Sequence, residues 1–196
     1  MSKTSVIEIS DIFSREDYKA KRKDLREKMV SRKKNRRIDV GPYMTMYFEN
    51  RDTIIHQINE MVFIENGGEE QAREEILAYK SLVPNGKELI ATVMIEIDSP
   101  IKRAEFLGKM GGFEETIDIS IGEKNIRGKA ELDVDRTTED GKASSVQFVH
   151  FEFNSEDIEY FKKNKELTTI SVDHGNYRHS TTLNISTVNE LLNDFK

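Results

Sequence analysis

Residues 88–98, ELIATVMIEID, are the stretch that decides the fold. Apolar side chains occupy every second position of this stretch: Leu89, Ala91, Val93, Ile95 and Ile97. Thr92 and Glu96 fall on the opposite face. This alternation is typical of a β-strand with one face against a hydrophobic core. We therefore predict a strand here, in a sheet that has one side packed against the core.

Helical patterns flank the predicted strand on both sides. Upstream, apolar residues at helical spacing predict a helix that NGG at 66–68 ends, and a second helix follows to about Leu82. Downstream, Ser99 and Pro100 begin a short helix. Further strand patterns occur at residues 44–50, 115–122, 124–134, 144–153, 167–174 and 177–185, and a polar loop occurs at 136–143.

These elements predict the α+β class, with a mainly antiparallel sheet of five to seven strands and helices mostly on one face. The 196 residues suit one domain, which we divide into a basic helical N-terminal segment, 1–40, and an α+β body, 41–196. The N-terminus lacks the apolar core of a signal peptide, and no stretch is apolar enough to span a membrane. We expect a cytoplasmic protein without a membrane partner.

The absence of cysteine limits the chemistry of the chain. It excludes disulfides, thiolate nucleophiles and cysteine-ligated metal centres. The sequence also has no GxGxxG after a strand, no P-loop, no GxSxG and no HExxH. No residue can be assigned as catalytic, and whether the protein is an enzyme stays open.

Charge is unevenly distributed along the chain. Residues 1–40 hold 13 Lys or Arg and 7 Asp or Glu, a net charge of +6, so the remaining residues carry −12. The run RKKNRR at 32–37 would suit nucleic-acid binding through residues 21–37, the weakest of our functional hypotheses. Few aromatic residues accompany the run, and the acidic body would repel a polyanion. We favour a helix whose charges pair with acidic residues of the same chain or of a second subunit in a homodimer.

The segment VDHGNYRH, residues 172–179, holds the densest group of versatile side chains: Asp173, His174, Tyr177 and His179. Imidazoles can move protons or bind a divalent metal, and a carboxylate can orient them. His174 and His179 would need further metal ligands, for which Glu49, Glu60, Glu96 and His150 are candidates. The alternative is that His174 and Tyr177 bind backbone groups and hold a turn.

A second candidate region is FENRDTIIHQINE, residues 48–60, where a strand leads into a helix. Arg51 beside the helix N-terminus could hold an anion, unless Glu49 and Asp52 already satisfy that end. Gln57 lies between two helix faces. The candidate ligand-binding residues of the chain are Glu49, Arg51, Gln57, Glu60, Glu96, Asp173, His174 and Tyr177.

Several strings resemble an uncharacterised prokaryotic family, the domain of unknown function DUF3501. They are DIFSREDYKAKR at 11–22, RRIDVGPYMTMYFENRDTIIHQINEM at 36–61, EEILAYKSLVPNGKELIATVMIEI at 74–97, SSVQFVHFEF at 144–153 and VDHGNYRH at 172–179. The resemblance covers nearly the whole chain and implies a prokaryotic one-domain protein, but it transfers no catalytic residue. Its association with rubrerythrin-like and iron–sulfur oxidoreductases implies a role in redox or oxidative-stress metabolism.

Two functional hypotheses follow. The first is an accessory protein that binds a small ligand, a cofactor or a redox-pathway partner protein. The second is a metal-dependent enzyme with a divalent metal held by His174 and His179 together with Glu49, Glu60 or Glu96, of which Glu60 is our first choice.

Overall fold

A single antiparallel sheet organises the chain, which this computed structural model describes over residues 6–131 and 142–195. Within these residues its strands are β1 (Arg37–Val40), β2 (Met44–Glu49), β3 (Glu88–Ile95), β4 (Ile117–Ile121), β5 (Lys124–Ala130), β6 (Val146–Glu152), β7 (Thr168–His174) and β8 (Tyr177–Thr182). Their order across the sheet is β1-β2-β3-β6-β5-β4-β7-β8. Most of the predicted loop at 136–143 lies outside the described residues.

The predicted strand at 88–98 forms β3, near the centre of the β1–β6 half of the sheet. Ala91 lies opposite Phe48 of β2 on one side and Val149 of β6 on the other. All three side chains are buried in the main hydrophobic cluster, to which every strand of the sheet contributes. The alternating apolar residues therefore face an interior that is filled with side chains.

The first and last strands come together at a seam that side chains bridge. Thr181 of β8 donates a hydrogen bond of 2.7 Å to the carbonyl oxygen of Asp39 in β1. Tyr177 makes a similar bond to Val40. The sheet is therefore nearly barrel-shaped.

Six α-helices are described in these residues: α1 (Arg15–Lys33), α2 (Arg51–Ile64), α3 (Glu69–Tyr79), α4 (Pro100–Leu107), α5 (Ser155–Lys163) and α6 (Ile185–Leu192). None of the described helices is long and apolar enough to cross a membrane. Ile54 and Ile58 of α2 pack with Ile90 of β3, on the outer face of the sheet. Phe161 of α5 and Leu191 of α6 instead join the main cluster.

The α+β class is confirmed, but two details of the prediction are wrong. The described sheet has eight strands instead of five to seven, and the helices serve two separate clusters instead of one face. The additional strand is β1, which lies at the end of the segment 1–40 that we predict to be helical. Gly41 adopts φ +72°, so the chain turns tightly and β1 pairs with β2.

Candidate functional site: a cleft on the outer face of the sheet

A cleft of about 400 Å³ opens between the outer face of β2, β3 and β6 and the helices α1–α3. This volume is near the lower end of the range of small-molecule sites, about 300 to 1,000 Å³. The described residues that line the cleft are Lys33, Tyr47, Glu49, Ile54, Gln57, Tyr79, Leu82, Thr92, Met94, Val146 and Phe148.

Glu49 is a buried carboxylate in the cleft wall, with 8% of its surface exposed. Its Oε1 accepts a hydrogen bond of 2.8 Å from the Thr92 hydroxyl, and its Oε2 accepts one from the Thr53 hydroxyl. Glu49 faces outward because it alternates with Phe48, and Thr53 is placed by the Asn50 cap of α2. The carboxylate is thus held in a fixed position on two elements.

Gln57 and Tyr79 form a second polar pair in the cleft. The Gln57 amide lies beside the Tyr79 hydroxyl. Burial raises the pKa of Tyr79, although the neighbouring Gln57 amide opposes this shift. The phenol therefore stays protonated at neutral pH, and it can donate to a ligand.

Apolar side chains make up most of the remaining lining. Ile54, Leu82 and Phe148 come from the cluster beneath α2 and α3, and Met94 and Val146 extend it along the sheet. Val146 is 37% exposed, which places it at the mouth. A few fixed polar groups around an apolar surface are typical of sites for small organic molecules.

Glu60, a candidate residue from the same helix as Gln57, binds α1 instead of facing the cleft. It accepts hydrogen bonds from the Tyr18 hydroxyl at 2.8 Å and from Arg22 Nε at 2.9 Å. The Arg22 guanidinium, against the opposing effect of burial, holds the pKa of Glu60 at about 2. Glu60 thus fixes the basic helix to the body.

Arg51 also makes contacts outside the cleft. Its guanidinium binds the carboxylate of Asp11 and the carbonyl oxygen of Val6, at 3.3 Å. The helix N-terminus is capped by Asn50. Among the described residues, Arg51 therefore ties the N-terminal segment to α2.

Glu96 and Asp173 lie at the surface in separate places. Glu96 accepts a hydrogen bond of 2.6 Å from the Thr45 hydroxyl and lies 3.6 Å from Arg37. Asp173 pairs with Arg178 at 2.9 Å, and both side chains are largely exposed. Neither carboxylate lines the cleft.

The segment 172–179 forms a hairpin that holds the seam of the sheet. The Tyr177 hydroxyl donates to Val40 O and accepts from Tyr43 N at 3.1 Å. The ring of His179 lies 4.4 Å from that of Tyr177, and His174 Nδ1 accepts from Asn176 N at 3.3 Å. These contacts correspond to the alternative in which the segment holds backbone together.

His150 lies on the outer face between two carboxylates. Its Nδ1 is 3.1 Å from Glu88 and its Nε2 is 3.0 Å from Glu131. Burial lowers the pKa of His150, but the bonds and charges of Glu88 and Glu131 outweigh burial, and the pKa is raised. The three groups form a hydrogen-bonded row on β3, β6 and the end of β5.

The candidates therefore do not share one pocket. Of the eight ligand-binding candidates, only Glu49 and Gln57 line the cleft. Within residues 6–131 and 142–195, no group of three or more His, Cys, Asp or Glu side chains is arranged to hold a metal ion. The sequence missed Lys33, Tyr47 and Tyr79, although the alternation along β3 had placed Thr92 on the outer face.

This architecture defines an α+β protein with a nearly barrel-shaped antiparallel sheet and an external cleft. The chain belongs to the family described as "Protein of unknown function (DUF3501)", which matches residues 6–195 and confirms the resemblance. It is similar to the crystal structure of a novel protein of unknown function from Burkholderia pseudomallei K96243. The TM-score is 0.89 at 26% identity, covering 97% of this chain and 100% of that chain. No curated protein matches the chain.

Proposed function

We propose that this protein binds a small, largely apolar organic molecule in the cleft above β2, β3 and β6. The observation that carries the proposal is the convergence of Glu49, Gln57 and Tyr79 around an apolar lining. Burial of apolar ligand surface supplies affinity, at about 25 cal/mol per Å². The fixed polar groups supply orientation.

The polar groups limit which ligands fit. Glu49 already accepts two hydroxyl hydrogen bonds, so each of its oxygens keeps acceptor capacity for a ligand hydroxyl or amide. The Tyr79 hydroxyl can accept from or donate to the ligand. The redox or stress-related accessory role that the family resemblance implies stays part of this proposal, with a small molecule as the bound species.

The test uses N-phenyl-1-naphthylamine, a neutral apolar dye whose fluorescence rises on leaving water. Val146→Trp fills the mouth of the cleft without touching the Glu49 contacts, and we expect it to weaken dye binding at least tenfold. Ile101→Trp is the matched control, because Ile101 is 73% exposed on α4 and does not line the cleft. It should bind the dye as the wild type does.

Two results would overturn the proposal. One is a Val146→Trp variant that binds the dye with unchanged affinity, and the other is a wild-type protein that does not bind it at all. Circular dichroism and thermal midpoints check that both variants fold. Val146→Phe provides a smaller obstruction if the Trp variant is unstable.

A further inference from the structure

We infer that the ligand of the cleft carries an anionic group that the Lys33 ammonium binds, so that it is a small aryl or alkyl anion such as a carboxylate. This inference rests on the proposed function, because it assigns the chemistry of the molecule in that same cleft. It does not follow from the apolar lining alone.

Lys33 is the last residue of α1, and it lines the cleft with Tyr47. The turn after Lys33 leads into β1, whose first residue, Arg37, lies opposite Tyr47. The Lys33 side chain is half-buried. Its position at the cleft is therefore set by the junction of α1 with the sheet.

The Lys33 ammonium has no hydrogen-bond or ion-pair partner among residues 6–131 and 142–195. The arginines around it are all paired in that same part of the chain: Arg32 with Asp52, Arg36 with Glu190 and Asp194, and Arg37 with Asp39. An unpaired ammonium beside a cleft can form a charge-assisted hydrogen bond with an anionic group of a bound molecule. Among the described residues that line the cleft, Lys33 is thus the one cation, and it has no partner there.

Glu49 makes no ion pair with the Lys33 ammonium. It is the one acidic residue among the described residues that line the cleft, and both of its oxygens accept hydroxyl hydrogen bonds from Thr53 and Thr92. No ion pair joins it to Lys33 in the described structure. A ligand can therefore place its anion at Lys33 and a hydroxyl or amide donor at Glu49.

The inner side of α1 carries further positive charge. Burial lowers the pKa of His56 and Glu60 opposes this, while the positive charges of Lys33, Arg26 and Arg22 lower it further. The same positive potential favours an anion at the adjoining end of the cleft. Lys33 is the one of these cations that lines the cleft.

The test compares two dyes with the same apolar body. 1-Anilinonaphthalene-8-sulfonate carries one sulfonate anion, and N-phenyl-1-naphthylamine carries none. We expect the wild type to bind the anionic dye more tightly. A charge-assisted hydrogen bond contributes about 1.5 to 3 kcal/mol, so Lys33→Met should weaken binding of the anionic dye about tenfold or more. Its effect on the neutral dye should stay below about twofold.

Lys34→Met is the matched control. It removes the same charge, but from an exposed residue that does not line the cleft. It should leave both affinities unchanged, and Lys33→Arg should keep most of the preference for the anion.

Equal effects of Lys33→Met on the two dyes would overturn the inference. If Val146→Trp still blocks the neutral dye in that case, the proposed function stands. If Val146→Trp blocks neither dye, the proposed function fails, and the assignment of Lys33 fails with it.

Discussion

The Tyr177 hydroxyl lies 2.6 Å from the carbonyl oxygen of Val40, 137 residues away in the chain, and donates a hydrogen bond to it. The Tyr177 hydroxyl oxygen also accepts a hydrogen bond from the Tyr43 backbone N–H, so one side chain binds both arms of the turn between β1 and β2. Tyr177 is buried against Phe106, with ring centroids 5.6 Å apart. It therefore joins the two ends of the sheet.

We expect Tyr177→Phe to lower the free energy of unfolding by about 1 to 3 kcal/mol, because it leaves a buried backbone donor and acceptor without their partner. Urea denaturation measures this loss. Tyr43→Phe, in the same aromatic group and 42% exposed, should change stability by less than about 0.5 kcal/mol. A Tyr177→Phe variant with the same unfolding free energy as the wild type would contradict this role.

Gly41→Ala should destabilise the fold by about 2 to 4 kcal/mol. Gly41 has φ +72°, and a Cβ there would lie 2.5 Å from the His179 ring and 2.6 Å from the Tyr177 hydroxyl. The control is Gly175→Ala, where a Cβ meets nothing within 4 Å. Thermal midpoints of the two variants provide the comparison, and equal midpoints would contradict this account of the turn.

Glu60→Gln should lower stability at pH 7 by about 1 to 2 kcal/mol, a range reduced for solvent screening at the partly exposed Arg22. The folded-state pKa of Glu60 is about 2, below its usual value of 4.5. The stabilisation is thus present above pH 4.5 and is lost as the pH falls toward 2. Urea unfolding across this window should show the difference from wild type shrinking with acid. Glu74→Gln, at an exposed residue, serves as the control. If the difference in unfolding free energy between Glu60→Gln and the wild type does not change with pH, the Glu60 charge does not have this role.

The row of Glu88, His150 and Glu131 predicts that the free energy of unfolding also depends on pH near and above neutrality. Because the pKa of His150 is raised in the folded protein, its stabilisation is complete below about pH 6.5 and is lost as the pH rises through the folded-state pKa. His150→Gln should flatten the decline of the unfolding free energy that begins above about pH 6.5. Glu152→Gln, on the same strand but paired with Lys129, should leave the slope as it is. An unchanged slope in His150→Gln would refute the prediction.

Local patterns in the sequence predicted the elements better than the site. Alternation of apolar residues located β3, because each residue of a strand takes its face from its neighbours in the chain. The pattern did not predict the four residues of β1, because Gly41 and Pro42 follow them directly and indicate a turn instead of a strand. The family was also identified from the sequence, but it assigns no catalytic residue.

The contacts between distant elements could not be predicted. Glu49 and Gln57 were chosen from one segment, and they do line one cleft, but Lys33 and Tyr79 reach it from other helices. The group at 172–179 drew attention because it is dense in polar side chains. Which backbone Tyr177 would bind depends on how the sheet curves, and that curvature is not encoded in any short pattern.

The two faces of β3 have a consequence for how the family can diversify. Leu89, Ala91 and Val93 belong to the filled interior, while Thr92 and Met94 face the cleft. Under the proposed function, substitutions at the second set would alter ligand preference while the first set maintains the fold. One strand would thus accommodate new chemistry without a new architecture, and relatives with the same sheet would not need to bind the same molecule.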